Sequence, residues 1–354
     1  MENTNYHEDL NKKNIIKLRQ MMETLPPFCR QFFRGVDQIY GGRTKLAYAY
    51  DLGIFFDFLH LNHPFGKTLM ITEYPLSILD QVSREDIEDY LEYLSLYQKE
   101  EYNGNPSDVT NKERGKSRKL ASLRSFYNYF YRNELINTNP ASLVPMPKLH
   151  TKEIIRLDPN EVAQLLDQVE AGTKLTKKQA EYHEKTKARD LAIMTLLLGT
   201  GIRVSECVGL NIYDIDFDNL RMKVVRKGGN EDFVYFGTEV ETALFNYLNE
   251  RENIIAVTGH EDALFLSIQN KRLSVRSIEK LVKKYSSLVT SLKNITPHKL
   301  RSTFGTNLYQ ETGDIYLVAD VLGHKDVNTT RKHYAAMKDD NKRKAARTIK
   351  LREP

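Results

Sequence analysis

Apolar side chains recur at helical spacing through the first 138 residues of the chain. Five of them can line one helical face in the segment LAYAYDLGIFFDFL: Leu46, Tyr50, Phe55, Phe58 and Leu59. Further helices are predicted over 83–97, where Ser83 is a suitable N-cap, and over 117–133. Residues 101–112 are rich in Gly, Pro, Asn and Ser, which predicts a loop. We therefore expect residues 1–138 to form a helical domain without strands.

The pattern changes over residues 139–157. Pro145 and Pro147 favour an extended backbone there, and we interpret the segment as a linker between two domains. A second domain is then expected over 158–354, opening with a helix that Asp158 caps.

The second domain is predicted to be mixed, with helices around a small antiparallel sheet. Two strands over 220–226 and 232–236 are separated by the turn sequence KGGNE, and 263–267 is a candidate third strand. The helices are expected at these places: 159–169, the apolar run ARDLAIMTLLL ended by Gly199 and Gly201, 274–289, 297–311, 314–322, 327–335 and 338–350. The fold class is thus two-domain and mainly α.

Composition excludes several classes of protein. Hydrophobic residues make up 40% of the 354, which is enough for two packed cores and argues against global disorder. Cys29 and Cys207 are too few for a disulfide framework or a cysteine-based zinc site, and they suit a reducing cytoplasm. The N-terminus lacks the apolar region of a signal peptide, and no apolar stretch approaches 18 residues. We expect a cytoplasmic protein that does not bind a membrane.

The distribution of charge is more informative than its sum. Lys and Arg total 52 against 47 Asp and Glu, a net charge of only +5. One segment, however, has six cations against the single acid Glu113: Lys112, Arg114, Lys116, Arg118, Lys119 and Arg124. A helix with this basic face could contact the phosphates of duplex DNA, and Arg43 and Lys45 are weaker candidates. The alternative is an ordinary solvated face.

Four short segments contain residues suited to chemistry on phosphates. GTGIRVSE places Arg203 at the start of a helix, and RKGG places Lys227 in a glycine-flanked turn, although Lys223 on the preceding strand is an alternative. TPHKLRSTFGT places His298 and Arg301 three residues apart near a helix N-terminus.

The fourth segment, LGHKDVNTTRKHYA, contains His324 and Tyr334. Each segment alone has a common structural explanation, such as a helix junction or a packed histidine. Together they provide arginines for a phosphorane, proton donors and acceptors, and a tyrosine nucleophile. This set can transfer a phosphoryl group without a metal ion.

The ordered set resembles the tyrosine recombinases, also called the phage integrase family. The catalytic region, about 158–340, carries the resemblance most strongly, and SRKLASLRSFYNYF at 117–130 resembles their helical, SAM-like core-binding domain. Within the family the chain is most like the single-protein Xer recombinases of streptococci and lactococci.

The resemblance implies a role for each residue of the set. Arg203 and Arg301 would hold the non-bridging oxygens of the scissile phosphate, while Lys227 would protonate the leaving 5′-oxygen. His298 would act in proton transfer and His324 would hydrogen-bond the phosphate. Tyr334 would form a 3′-phosphotyrosyl link. Glu206 would orient the site, and no metal, cofactor or nucleotide is needed.

The same resemblance implies partners and a biological role. The partners would be a double-stranded recombination site and three further copies of the chain, a homo-tetramer linked by exchange of C-terminal helices. Strand exchange would pass through a Holliday junction and resolve chromosome dimers. The spacing from His324 to Tyr334 is one residue longer than in many Xer proteins and occurs in integrases of mobile elements, which are the first alternative. A catalytically silent DNA-binding regulator and a type IB topoisomerase are the others.

Overall fold

The computed structural model describes residues 6–100, 106–149, 155–226, 228–324 and 326–327. The chain divides into two compact units, Met1–Thr151 and Lys152–Pro354. Both are mainly helical with a small antiparallel sheet, which confirms the predicted fold class. In the described residues, no helix has both the length and the apolar character that crossing a membrane requires.

The first unit consists mainly of helices. Its elements in chain order are α1 (Tyr6–Met21), α2 (Cys29–Gly35), α3 (Gly42–Asn62), α4 (Arg84–Tyr93), β1 (Tyr97–Glu100), β2 (Pro106–Val109), α5 (Glu113–Arg132) and α6 (Pro140–Leu143). Ser83 caps α4 as predicted: its hydroxyl accepts from the Asp86 N–H at 3.2 Å, and the Asp86 carboxylate accepts from the Ser83 N–H at 2.7 Å.

The expectation of a strand-free first domain is wrong. Strand β1 pairs antiparallel with β2, with Tyr97 opposite Val109 and Gln98 opposite Asp108. The sequences YQKE and PSDV are mostly polar and lack the alternation by which a half-buried strand is recognised. Backbone pairing joins these two strands, and the opposed residues Tyr97 and Val109 pack against the core of the unit.

Aromatic rings form the core of the first unit. Phe126 of α5 lies edge-on to Phe32 of α2, to Phe56 of α3 and to Phe130 one turn along its own helix, with ring centroids 5.1 to 6.1 Å apart. Phe28, just before α2, contacts three of these rings. Such pairs add to the energy of burying large apolar surfaces, so α2, α3 and α5 are held together at this point.

The segment predicted as a linker, 139–157, begins inside the first unit. Asn139 caps helix α6 by accepting from the Ser142 N–H at 3.2 Å. The Arg124 guanidinium of α5 donates to the carbonyls of Ala141 (3.0 Å) and Val144. Arginine at this place satisfies carbonyls at the end of a short helix that has few internal bonds.

A buried ion pair joins α3 to α5. Asp51 is 1% exposed, and both of its carboxylate oxygens accept from the Arg118 guanidinium, one of them at 2.6 Å. Burial raises the pKa of Asp51, and the charge and hydrogen bonds of Arg118 oppose that rise. Arg118, interpreted from sequence as a surface cation, therefore has a structural role.

We expect Arg118→Ala to destabilise the first unit. The substitution leaves a buried carboxylate without its main partner. Because Arg118 is itself 52% exposed, the expected loss at neutral pH is about 1–3 kcal/mol, below that of a fully buried pair. Denaturant unfolding of the variant and the parent measures it.

The loss in Arg118→Ala should shrink on acidification. Without Arg118 the pKa of Asp51 rises further, so the carboxyl becomes neutral as pH falls and no longer needs a partner. Arg114→Ala, at an exposed position of the same helix, is the control and should leave stability unchanged. Equal stability of both variants at neutral pH would contradict a structural role for Arg118.

The second unit packs helices around a three-stranded antiparallel sheet. Its elements in chain order are α7 (Pro159–Ala171), α8 (Lys177–His183), α9 (Lys187–Thr200), α10 (Val204–Gly209), β3 (Ile215–Asp216), β4 (Arg221–Val225), β5 (Glu231–Tyr235), α11 (Thr238–Arg251), α12 (Val275–Ser286), α13 (Pro297–Thr312) and α14 (Ile315–Val321). The predicted hairpin is confirmed as β4 and β5, with Lys223 opposite Phe233.

The third strand differs from the prediction. It is β3, in which Ile215 pairs with Met222 of β4, whereas residues 263–267 form only isolated bridges such as Leu266 with Arg272. Leu264 and Phe265 are buried, so the apolar run ALFLS reflects burial in the core and not membership of the sheet.

Helix α9 occupies the centre of the second unit. It packs against α7, α11 and α13, and most of its side chains are buried, including Ile193 and Leu197. The helix continues through Gly199 and ends at Thr200, with Gly201 as its left-handed cap at φ +61°. Only the second of the two predicted helix-ending glycines therefore ends it.

Candidate active site

Helix α14 ends in a Schellman motif that leaves two carbonyls available to other partners. The Gly323 N–H donates to the Asp320 carbonyl at 2.7 Å, and the His324 N–H donates to the Ala319 carbonyl at 2.9 Å. Gly323 has φ +59°, which the motif requires. The carbonyls of Val321 and Leu322 come too late in the helix to accept from it.

Three arginines from separate elements donate to this end of α14. Arg301 of α13 donates to the Leu322 carbonyl, and Arg203 donates to the Gly323 carbonyl at 3.2 Å. Arg226, just after β4, lies 3.4 Å from the carbonyls of both Val321 and Leu322. The negative end of the helix dipole favours cations at this place. The second unit thus concentrates positive charge immediately before His324.

Glu206 is the acidic partner of two of these arginines. Its side chain is 2% exposed and accepts from the Arg203 guanidinium at 2.7 Å and from the Arg203 N–H at 2.7 Å. The Arg226 guanidinium lies 3.5 Å from Oε2, the same oxygen that accepts from the Arg203 N–H. Glu206 therefore fixes the direction of both side chains, as expected of an orienting residue.

Arg301 is held by a second carbonyl, that of Gly201. The residue is 4% exposed, and its guanidinium donates to the Gly201 oxygen at 2.6 Å. A Cβ on Gly201 would lie 2.4 Å from the Phe304 ring, so no larger residue fits without displacing that ring. The glycine at the end of α9 thus brings the chain close enough to α13 for this bond to form.

The structure brings Arg203, Arg301 and His324 to the same end of α14. His298 is exposed in the first turn of α13, one turn before Arg301, and its carbonyl accepts from the Ser302 hydroxyl at 3.0 Å. Lys227 and Tyr334 lie outside the described residues. The assignment of all six residues as catalytic stays a prediction.

The hairpin that leads to Lys227 has the predicted glycine turn. Gly228 and Gly229 have φ of +99° and +86°, and the Arg226 N–H donates to the Asn230 carbonyl at 2.7 Å. Lys223, the alternative lysine, lies 3.4 Å from Glu231 on the opposite strand.

Arg226, the first residue of RKGG, has contacts that the sequence does not predict. Its side chain is 11% exposed and reaches Glu206, Asp232 and the end of α14. An arginine directly after a strand and before two glycines was the available sequence feature, but its contacts are too distant in sequence to be read from it.

Cys207 is not an alternative nucleophile, although it follows Glu206 directly. The residue is fully buried, and burial together with the negative charge of Glu206 raises the pKa of its thiol. The thiol therefore stays protonated at neutral pH, and a protonated thiol is a poor nucleophile.

The predicted DNA-contacting residues of the first unit are in different situations. Lys45 is buried and paired with Asp37, and Lys119 is buried with its amine 2.8 Å from the Asn111 side chain. The other four differ in their contacts. Lys116 donates to the Ser95 hydroxyl and Arg118 to the Asp51 carboxylate. Arg124 donates to a backbone carbonyl of α6, and Arg43 is exposed to solvent. Arg43, Lys116 and Arg118 are consequently the better candidates for phosphate contacts.

Comparison with known proteins decides the family. The model of the phage integrase family matches residues 155–341, more than half of the chain. The chain belongs to this family. The tyrosine recombinase XerC of Caldanaerobacter subterraneus subsp. tengcongensis is 34% identical over 88% of this chain and 84% of the relative. XerS of Streptococcus agalactiae is 29% identical over 92% of this chain and 96% of its own length.

The fold is that of the tyrosine recombinases. A crystal structure of the XerH site-specific recombinase bound to palindromic difH substrate, a post-cleavage complex, has a TM-score of 0.62 at 20% identity. The alignment covers 86% of this chain and 80% of XerH. The mainly helical tyrosine recombinase fold predicted from the motifs is thereby confirmed.

We expect Glu206→Gln to weaken this site and the unit that contains it. Removing the negative charge leaves the guanidinium groups of Arg203 and Arg226 without their buried counter-charge. The expected destabilisation is about 1.5–3 kcal/mol, the value of hydrogen bonds to charged groups. Thermal or denaturant unfolding measures the change.

The matched control is Glu231→Gln. Glu231 also accepts from a cation, Lys223, but both side chains are exposed, so the expected change is below about 0.5 kcal/mol. If both glutamine variants unfolded alike, Glu206 would have no special part in holding the arginines.

Proposed function

We propose that the protein is a site-specific DNA recombinase that cuts and rejoins duplex DNA through a 3′-phosphotyrosyl intermediate. The observation that carries the proposal is the convergence of Arg203 and Arg301 on adjacent carbonyls, those of Gly323 and Leu322, directly before His324. Arginines fixed in this way can exchange a carbonyl for a phosphate oxygen while their direction is maintained. The names of the curated relatives agree with this activity.

In the proposed cleavage, the Tyr334 oxygen attacks the scissile phosphorus and the bond to the 5′-oxygen breaks. Arg203 and Arg301 bind the non-bridging oxygens and stabilise the pentavalent transition state. Lys227 gives a proton to the leaving 5′-oxygen, and His298 takes part in transferring the tyrosine proton. His324 donates a hydrogen bond to the phosphate.

The energy of the broken phosphodiester bond stays in the phosphotyrosyl link. A free 5′-hydroxyl from the partner duplex can therefore attack the link and reseal the strand without ATP. Two such exchanges, one for each strand, pass through a Holliday junction. The proposed reaction needs no cofactor and no metal ion.

The proposed biological role is Xer-like resolution of chromosome dimers. Relatives named XerC and XerS, covered over most of their length, favour this role. The spacing of ten residues from His324 to Tyr334 favours the alternative, integration or excision of a mobile element. Both roles use the same chemistry and differ in the DNA sequence that is cut.

Covalent protein–DNA adducts distinguish these roles. We expect the wild-type chain, isolated from its host under denaturing conditions, to retain DNA whose attached ends map to one chromosomal locus. Tyr334→Phe should lose the adducts because the ring has no nucleophilic oxygen, while DNA binding by the folded variant persists.

Each result of this experiment has a defined meaning. Ends at a single chromosomal locus support dimer resolution, and ends at the borders of a mobile element make the protein an integrase. Adducts that persist in Tyr334→Phe would contradict the assignment of the nucleophile. Binding without adducts in either chain would favour a catalytically silent DNA-binding regulator.

The first unit is proposed to contact duplex DNA through its basic helices. Arg43 lies exposed in the first turn of α3, where a cation is unfavourable for the helix dipole, so its removal should not destabilise the unit. We expect Arg43→Ala to weaken DNA binding and to lower the slope of log affinity against log salt by about one. An unchanged binding isotherm at matched salt and unchanged thermal stability would remove Arg43 from the interface.

Assembly into a tetramer on paired sites is the finer part of the proposal. The family resemblance assigns the C-terminal segment to exchange between subunits, and its residues lie outside the described part of the chain. A chain truncated after Ala336 should bind a single site but fail to pair two sites in a gel-shift assay. Equal loss of both activities would instead indicate a segment that contacts DNA.

A further inference from the structure

We propose that Arg226 is a positioning residue that fastens the β4–β5 hairpin to the end of α14 and thereby directs its chain neighbour Lys227 toward the leaving oxygen. The inference rests on the proposed function. It assigns to Arg226 a task in protonating the leaving group, which neither the family match nor the names of the relatives specify.

Contacts on the hairpin side begin at the backbone. The Arg226 N–H donates to the Asn230 carbonyl at 2.7 Å, and the Gly229 N–H donates to the Arg226 carbonyl at 3.1 Å. The Arg226 guanidinium also donates to Asp232 of β5 at 3.0 Å. Arg226 therefore closes the turn by both its main chain and its side chain.

Contacts on the other side join the same guanidinium to the end of α14. Its terminal nitrogens lie 3.4 Å from the carbonyls of Val321 and Leu322, and one lies 3.5 Å from Glu206. A Cβ on Gly323 would lie 2.7 Å from the central carbon of the guanidinium. The side chain is thus packed directly on the backbone that leads into His324.

Only an arginine can make this set of bonds. Its planar fork offers five N–H donors in fixed directions, whereas a lysine amine is a single point charge that reaches fewer acceptors at once. The acceptors here are two carboxylates and two carbonyls on three different segments.

Lys227 follows the anchored residue directly and precedes two glycines with positive φ. Glycines give the backbone of a turn wide conformational freedom, so a fixed point beside Lys227 limits where its amine can go. Loss of Arg226 should consequently impair the proton transfer from Lys227 more than the binding of the phosphate.

The experiment compares two DNA substrates that differ at the leaving atom. Both carry the site recovered by adduct mapping; one has the natural phosphodiester, and the other has sulfur in place of the 5′-bridging oxygen. Thiols are much more acidic than alcohols, so a thiolate leaves without a proton donor. In both cases the Tyr334 oxygen bonds to phosphorus as the bridging bond breaks.

We expect Arg226→Ala to slow formation of the covalent adduct on the phosphodiester by about 10–100-fold, part of the effect of general-acid catalysis. On the sulfur substrate its rate should return to within about threefold of the wild-type rate because protonation is no longer required. Arg226→Lys should likewise remain slow on the phosphodiester and recover on the sulfur substrate, because a lysine amine cannot reach all of these acceptors at once.

Arg221→Lys is the matched control. Arg221 lies at the other end of β4, pairs with Asp216 and packs over Phe233 at 4.4 Å, so it is also an ion-paired arginine of the hairpin. It should cleave both substrates at wild-type rates. DNA affinity and unfolding temperature, measured for all variants, show whether Arg226→Ala is folded and bound to its substrate.

Two results would overturn the inference. An equal loss on both substrates would mean that Arg226 supports the fold or the phosphate and not the proton transfer, and no loss on the phosphodiester would mean that it is dispensable. Failure of the proposed function would look different, because the wild-type chain would then form no adduct on either substrate, and the inference would fail with it.

Discussion

The candidate active site is organised by backbone carbonyls at the end of one short helix, which have no hydrogen-bond donor within the helix itself. A helix of seven residues, α14, cannot use its last carbonyls internally, and the Schellman motif at Gly323 leaves those of Val321 and Leu322 facing outward. Arg301, Arg226 and Arg203 reach this end from three other segments. Elements more than 100 residues apart in the chain therefore meet at a point defined by backbone atoms.

The same principle explains why many cations of the first unit are not simply surface charges. Arg124 satisfies carbonyls of α6, Arg118 neutralises the buried Asp51, and Lys45 and Lys119 are themselves buried with polar partners. Long cationic side chains can cover apolar surface with their stems while the charged ends find acceptors. A basic segment in a sequence can thus combine structural bonds with contacts to DNA.

Local features of the fold could be predicted from the sequence, and contacts between distant segments could not. The cap at Ser83 and the glycine turn of the β4–β5 hairpin depend on neighbouring residues and were predicted correctly. The run at 263–267 predicts a strand but forms only isolated bridges, because burial and sheet pairing produce the same apolar pattern. Strands β1 and β2 were missed because polar strands have no such pattern.

The candidate site shows the same division. The order of its motifs predicted the family, which the comparisons confirm, and the placement of Arg203 at the start of α10 was correct. The contacts of Arg226 could not be foreseen because two of its acceptors are main-chain carbonyls, and every residue type has one. A hydrogen bond to a backbone carbonyl therefore cannot be predicted from the type of residue that supplies the carbonyl.

Guanidinium groups remain charged at any pH at which a protein stays folded. The cluster at the end of α14 contains three such groups, those of Arg203, Arg226 and Arg301. Its attraction for an anion should therefore be nearly constant from mildly acidic to alkaline solution. Variation of the reaction with acidity should therefore arise outside these three arginines, in His324 and in the groups that move protons.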